Sequence, residues 1–238
     1  MKVRFTAIIL ALCLCAALLS GCGSTPSVGD KIEFGNYQQQ SESEEKTPIE
    51  WRVLAKDGKK VLLISDEALD WRLFNEQYED VTWETSTLRG WLNNEFYYDA
   101  FSADERAKIL TTEVDNGKDG ITSDNVFLLS TEESEKYFDG EYDRCAKCSQ
   151  YARKNAKDLY GSSTGLGLLL GGDTWWTRTR GSDAYTVTCV DWEWGAFTDC
   201  FITNSSYLSE EGSKPALDIT VEGDGDGAGV RPAIWITY

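Results

Sequence analysis

Apolar and polar residues alternate in the first part of the chain, and this alternation predicts β-strands. Residues 31–37 follow a period of two, and Ile49, Trp51 and Val53 share one face of a second predicted strand. The apolar run at 61–64 follows a short polar turn and is typical of a strand that is buried on both faces. We therefore expect neighbouring antiparallel strands at the start of the domain.

Helical spacing replaces this alternation further along the chain. Apolar residues at 88, 91, 92 and 96 predict a helix over 85–96, with Thr85 or Ser86 as its N-cap. Ser102 and Glu105 form the capping-box pattern, which predicts a short helix to about residue 108. Two further helices are predicted over 131–138 and 149–157.

The part of the chain after residue 161 is rich in Gly, Thr and aromatic residues, which favours strands joined by loops. Four strands are predicted in this part, at 174–179, 185–190, 196–203 and 229–238, and one strand is predicted before it, at 126–129. The order of elements predicts one α+β domain over residues 29–238, with a mixed, mostly antiparallel sheet, flanking helices and a loop-rich β C-terminal half.

The first residues have the pattern of a bacterial lipoprotein signal. A basic start precedes an apolar run at 7–19, too short to span a membrane, and Leu-Ser-Gly-Cys at 19–22 resembles a lipobox. This predicts removal of residues 1–21, lipidation of Cys22 and a tether over 22–28. An ordinary signal peptide is the alternative. We expect a location on the extracytoplasmic face of a membrane in a bacterial cell envelope.

Composition narrows the possible activities. The formal net charge is -17, which opposes binding to nucleic acid, so the lipid is the expected membrane contact. The chain contains no histidine, which excludes Ser-His-Asp and Cys-His hydrolases, His-ligated zinc hydrolases and haem–histidine chemistry. Paired carboxylates remain available for glycan hydrolysis. No cofactor and no catalytic residue are identified.

Four of the seven cysteines lie in the predicted domain, and in an exported chain they are candidates for disulfides. A hairpin centred between residues 194 and 195 would place Cys189 directly opposite Cys200, within disulfide reach. Cys145 and Cys148 are the other candidates, as a local disulfide or as two free thiols. They lack the context of a thioredoxin site, and no histidine completes a zinc site.

Two groups of residues are candidates for binding. Aromatic side chains lie on and around the predicted hairpin, where they favour a glycan or protein ligand, and an inward-facing core position is their alternative. They are Tyr185, Trp192, Trp194 and Tyr207. Glu222, Asp224 and Asp226 begin like a calcium loop but lack its final glutamate, so a solvated acidic loop is favoured over a weak calcium site. No other metal site is predicted.

Three segments together resemble a bacterial family known only as a domain of unknown function (family 6273). They are Pro-Ile-Glu-Trp-Arg-Val-Leu at 48–54, the Trp- and Leu-rich stretch at 81–96, and Trp-Trp-Thr-Arg at 175–178 followed by Gly-Val-Arg-Pro-Ala-Ile-Trp-Ile at 229–236. The ending is also similar to that of C-type-lectin-like and formylglycine-generating-enzyme-like domains. That second resemblance implies a fold in which the first and last strands meet, and it implies no activity.

These observations predict a lipid-anchored, non-enzymatic module that binds a glycan or a protein through its C-terminal half. A carboxylate-based glycan hydrolase is one alternative, and two acids in a cleft, one with a raised pKa, would favour it. A structural subunit of an envelope complex is the other, and it predicts a flat apolar patch.

Overall fold

The alternating segments at the start of the chain form a hairpin-linked sheet in the computed structural model, which describes residues 25–41, 43, 45–160, 173–191, 194–203 and 227–238. The strands are β1 (Lys31–Gln38), β2 (Lys46–Asp57), β3 (Lys60–Ser65), β4 (Asp70–Arg72), β5 (Ile109–Leu110), β6 (Thr112–Asp115), β7 (Ile121–Asp124), β8 (Trp175–Arg180), β9 (Thr186–Val190), β10 (Phe197–Phe201), β11 (Ala228–Val230) and β12 (Ala233–Thr237). The helices are α1 (Thr87–Trp91), α2 (Tyr97–Ala100), α3 (Ala103–Arg106), α4 (Thr131–Tyr137), α5 (Glu141–Arg144) and α6 (Gln150–Tyr160). None of these helices is long and apolar enough to cross a membrane.

The first sheet has the order β1-β2-β3-β12-β5, and every neighbouring pair is antiparallel. Ile49, Trp51 and Val53 are buried on one face of β2, as the alternation predicts. The last strand inserts between β3 and β5, and β1 lies at the edge with β2 as its partner. The expected meeting of the first and last strands is therefore wrong.

The second sheet has the order β10-β9-β8-β11-β4 and is antiparallel except between β8 and β11. The predicted strand at 229–238 is two strands, because Pro232 has no N–H with which to continue a ladder. Residues 231–232 link β11 in the second sheet to β12 in the first. Both sheets contribute to one hydrophobic core, so the predicted α+β class with mostly antiparallel pairing is confirmed.

The predicted helix at 85–96 begins as expected, because the Ser86 side chain accepts a hydrogen bond from Arg89 N. After α1 the chain forms a π-helical turn, Leu92–Phe96, which ends at the predicted helix end. It then continues without a break into α2. Within this turn the Asn93 amide donates to Val126 O at 2.8 Å and accepts from the backbone N–H groups of Asn125 and Val126. These bonds satisfy the start of the 126–129 segment, which is a buried, irregular stretch and not the predicted strand.

The β9–β10 hairpin has a different register from the predicted one. Cys189 lies opposite Thr198 and Cys200 lies opposite Val187, so the expected direct pairing of the two cysteines is wrong. The observed register is centred one residue earlier in the chain than the predicted one, and Gly195 lies in the connection with a φ of 68°. Cys145, Cys148, Cys189 and Cys200 are all free thiols in the structure.

Candidate functional site

Trp194 is the predicted binding residue that the structure leaves most accessible, with 51 % of its surface exposed. Tyr185 lies at the other end of β9, where its ring stacks on Tyr78 with 4.3 Å between centroids. The structure therefore separates these two candidates. Trp192 and Tyr207 lie outside the described residues, as do Cys22 and the calcium candidates Glu222, Asp224 and Asp226.

The position of Trp194 is fixed by contacts between the β9–β10 connection and α5. Arg144 Nε donates to Gly195 O at 2.8 Å, and its guanidinium lies 4.6 Å from the centre of the Phe197 ring. These contacts bring the Trp194 ring to 6.0 Å from that of Tyr142, at an interplanar angle of 65°. Tyr142 is itself 69 % exposed, so two aromatic rings in an edge-to-face arrangement are both accessible to solvent.

Tyr142 also lines a cleft of about 290 Å³, which we name the Arg231 cleft. Its walls come from β2, the β3–β4 connection, α5 with the residues after it, and the link between β11 and β12. The lining residues are Arg52, Asp66, Glu67, Tyr142, Asp143, Cys145, Ala146, Lys147 and Arg231. An aromatic pair thus lies beside a cleft that is lined mainly by charged side chains.

Two of the acids in the Arg231 cleft are already paired. Arg52 donates two parallel hydrogen bonds to Asp143, at 2.7 and 2.8 Å, and Asp66 pairs with Lys31 at 2.9 Å. The bonds from Arg52 lower the pKa of the Asp143 carboxyl, so it stays ionised. These pairs fix the cleft wall and leave Asp143 without a free oxygen.

The third acid, Glu67, has no such partner. Within the described residues its half-buried carboxyl makes no hydrogen bond or ion pair. Burial raises the pKa of Glu67, and the charge of Asp66 raises it further. Lys147 is exposed on the same cleft, and its ammonium likewise forms no hydrogen bond or ion pair with the described residues. Unpaired titratable groups in a cleft are features of binding and catalytic sites.

Arg231 is nearly completely buried at this cleft, with 3 % of its surface exposed. Its hydrogen bonds end at the carbonyl oxygens of Ser65, at 2.9 Å, and of Arg144 and Asp66, both at 3.4 Å. Its guanidinium also lies 5.3 Å from the Phe138 ring centre and 5.2 Å from that of Trp175. A buried arginine is expected to pair with an acid, yet no carboxylate of the described residues forms an ion pair with Arg231.

Arg178 in β8 is also buried, and it does have an acid as its partner. It pairs with Glu133 and also donates to Asn116, Leu128 O and Asp115 O. It lines a larger cleft of about 420 Å³, in which Arg180 is paired with Asp80 and Asp119. The arginine charges of this cleft are therefore balanced within the fold.

An aromatic groove of about 510 Å³ lies beside the π-helical turn. Arg72 occupies the accessible ring face of Trp91, at 3.9 Å from its centre, and Asp99 on the same groove is paired with Lys46. This groove offers fewer unpaired groups than the Arg231 cleft, so the Arg231 cleft is the stronger candidate.

The two Cys145 and Cys148 thiols differ in their surroundings. Cys145 lines the Arg231 cleft and is partly exposed. Cys148 is buried, and its backbone N–H donates a hydrogen bond of 2.7 Å to the Asp173 carboxylate. Burial raises the pKa of both thiols, which keeps them protonated and unreactive.

Several residues of the site were missed from the sequence. Tyr142 lies in a four-residue helix that has no hydrophobic periodicity, and Glu67 and Lys147 are ordinary polar residues between elements. A usable signal was the placement of Arg52 and Arg231 in otherwise apolar segments, because a buried charge requires partners.

Comparison with known proteins identifies the family of this chain. A family model described as "Domain of unknown function (DUF6273)" matches residues 58–238, which is most of the chain. No curated protein and no solved structure matches significantly. The second resemblance, to lectin-like domains, therefore has no support from a solved structure. The match covers the second sheet, the strands β3, β5 and β12 of the first sheet, and the Arg231 cleft apart from Arg52, and the chain belongs to the DUF6273 family.

Proposed function

We propose that this protein is a non-enzymatic glycan-binding module whose ligand lies across the Trp194–Tyr142 pair and into the Arg231 cleft. The observation that carries the proposal is the exposed aromatic pair, held beside a cleft with unpaired polar groups. Sugar rings offer C–H faces that pack on aromatic rings and hydroxyls that pair with charged side chains. The site has both kinds of group within one surface.

The arrangement is also preorganised. The bond from Arg144 to Gly195 O and the paired hydrogen bonds between Arg52 and Asp143 fix both sides of the site before a ligand arrives. Ordering of loops and side chains is a large cost of association, so a site that is already ordered keeps more of its contact energy as affinity.

A glycan hydrolase is the second candidate, and the cleft carboxyls favour it. Glu67 has a raised pKa and Asp143 a lowered one, which is the division of roles that a general acid and a nucleophile need. Both Asp143 oxygens, however, accept bonds from Arg52. The ion pair with Arg52 withdraws charge from this carboxylate and so makes it a weaker nucleophile, and binding without hydrolysis is the better supported function.

We also propose that Cys22 carries a lipid that holds the module on the extracytoplasmic face of a bacterial membrane. The support is the basic and apolar pattern that ends in Leu-Ser-Gly-Cys at 19–22. Stable attachment by acyl chains requires two or more of them, which a lipidated cysteine of this type provides. A surface location would bring the Arg231 cleft into contact with extracellular glycans.

The direct test is an array of immobilised oligosaccharides probed with the full chain in detergent. We expect binding to at least one glycan, lost in both Trp194→Ala and Tyr142→Ala at unchanged melting temperature. A bound glycan should be recovered intact after prolonged incubation. Binding that survives both substitutions, or no binding to any glycan, contradicts the proposal, and shortened products would instead support the hydrolase.

A further inference from the structure

Arg231 is a buried cation that forms no ion pair with the described residues, although the more distant charges of Asp66 and Asp143 favour its charged form. Its donors face three backbone carbonyls and two aromatic rings. Burial in this setting lowers the pKa of Arg231 to about 10, which reflects the cost of holding the charge there. Of the other buried arginines among the described residues, Arg178 pairs with Glu133, whereas Arg144 donates to Gly195 O and forms no ion pair.

The neighbouring acids of the cleft have other partners or, in the case of Glu67, a raised pKa. Asp66 pairs with Lys31, and Asp143 pairs with Arg52. Glu67 is the remaining acid, and its raised pKa extends its protonated form to higher pH. Arg231 and Lys147 therefore face the cleft as cations without ion-pair partners among the described residues, in a chain whose net charge is -17.

We infer that the glycan bound in the Arg231 cleft carries a carboxylate, and that Arg231 and Lys147 donate hydrogen bonds to it. This inference rests on the proposed glycan-binding function and adds the substrate class, an acidic sugar. Arg231 has N–H groups beyond its three protein contacts, and its planar guanidinium matches the geometry of a carboxylate. A protonated Glu67 would donate to a ligand oxygen next to that group.

A neutral sugar would leave Arg231 without an ion-pair partner among the described residues, as in the free protein. Charge-assisted hydrogen bonds are roughly twice as strong as neutral ones, and they weaken as salt increases. We therefore expect an acidic oligosaccharide to bind at least about ten-fold more tightly than a neutral one of the same shape, with a preference that decreases at high ionic strength.

The test uses matched probes that differ only in charge, titrated against the full chain in detergent. One pair is a galacturonic acid trisaccharide and its carboxyl-reduced galactose form, and the other is a tetrasaccharide of alternating glucuronic acid and N-acetylglucosamine with its carboxyl-reduced form. Lys147→Gln should weaken binding of the acidic probe several-fold more than binding of its neutral partner. Lys59→Gln, which removes an exposed lysine outside the cleft, should change neither affinity.

The outcomes separate the two proposals. If a carboxyl-reduced probe binds as tightly as its acidic partner, the carboxylate inference is overturned and glycan binding stands. If a sulfated galactose trisaccharide binds more tightly than the galacturonic acid one, the cleft selects another anion and the inference is also overturned. If no probe binds and Trp194→Ala changes no glycan signal on the array, both proposals fail. Arg231→Met is a supporting variant, used where its melting temperature shows that it folds.

Discussion

Gly195 lies so close to Glu141 that a Cβ atom on the glycine would come within 1.8 Å of the Glu141 carbonyl oxygen. The glycine also has a φ of 68°, which L-residues with a side chain rarely adopt. Two independent constraints therefore require glycine at the point where the β9–β10 connection meets α5. This contact sets the distance between Trp194 and Tyr142.

Gly195→Ala should separate the β9–β10 connection from α5 and lower the free energy of unfolding by about 2 kcal/mol or more. Gly58→Ala is a matched control, because Gly58 has a φ of 60° with nothing within 4 Å of the added atom. It should cost only about 1 kcal/mol. Urea unfolding of both variants measures the difference, and equal losses would show that the close approach to Glu141 is not a constraint.

Trp194→Ala should change the free energy of unfolding by less than about 1 kcal/mol, because the ring is half exposed and its edge contacts only Tyr142 among the described rings. Trp175 is fully buried and donates to Arg144 O, so Trp175→Ala should cost about 3–5 kcal/mol. Thermal melting of the two variants gives the comparison. A large loss in Trp194→Ala would assign that residue to the core and remove it from the binding face.

Asp124 is a buried acid that joins the β6–β7 hairpin to the rest of the domain. Its oxygens accept hydrogen bonds from Trp83 at 2.9 Å, Arg89 at 2.6 Å and Thr122 at 2.7 Å. Asp124→Ala leaves these donors unpaired and should cost about 3–5 kcal/mol. Asp99→Ala removes an exposed acid paired with Lys46 and should cost less than about 1 kcal/mol in the same denaturant titration. Similar losses in both variants would contradict the role given to Asp124.

Glu67→Gln should stabilise the protein at neutral pH. The folded state raises the pKa of Glu67, so it binds the proton more tightly than the unfolded chain does. The contribution of Glu67 to the free energy of unfolding is therefore complete below about pH 4.3, the ordinary glutamate pKa. It is lost as the pH rises through the pKa of Glu67 in the folded state. Gln cannot ionise, so its advantage over Glu should grow across this range, to about 1 kcal/mol or less because water screens a half-buried group. Unfolding free energies measured from about pH 4 to pH 8 test this, and an advantage that shrinks with rising pH would contradict it.

Cys22→Ala should move the protein from the membrane fraction to the soluble fraction and abolish metabolic labelling with a fatty acid, because Cys22 is the proposed lipid attachment site. Cys145→Ala is the matched control and should leave both properties unchanged. Persistent labelling of the Cys22→Ala protein would end the lipid-anchor proposal.

Local signals in the sequence were reliable where one short-range interaction determines the structure. The caps at Ser86 and Ser102 are present, and the Ser102–Glu105 capping box forms with both of its reciprocal bonds. The burial of Trp51 on β2 also follows from a period of two. These features depend on residues that are only a few positions apart.

Features that depend on distant partners were not predictable from local pattern. The 126–129 segment has strand composition, but its backbone groups bond to separate distant partners: the Asn93 side chain at Val126, Ala233 at Phe127, and Arg178 at residues 128 and 129. The β9–β10 connection packs on α5 at Gly195, and α5 itself was not predicted. Most of the Arg231 cleft lies between such elements, so its position required the structure.

The place of β12 between β3 and β5 affects how the chain reaches its folded state. Ser65 and Arg231, which are hydrogen-bonded across this junction, are 166 positions apart in the sequence. During synthesis β1, β2 and β3 can pair as they emerge, while the apolar edge of β3 stays open until residues 233–237 arrive. An open apolar edge readily pairs with other chains, so the edge of β3 is where a partly made or truncated chain is most prone to associate, and loss of residues 233–237 would leave that edge open permanently.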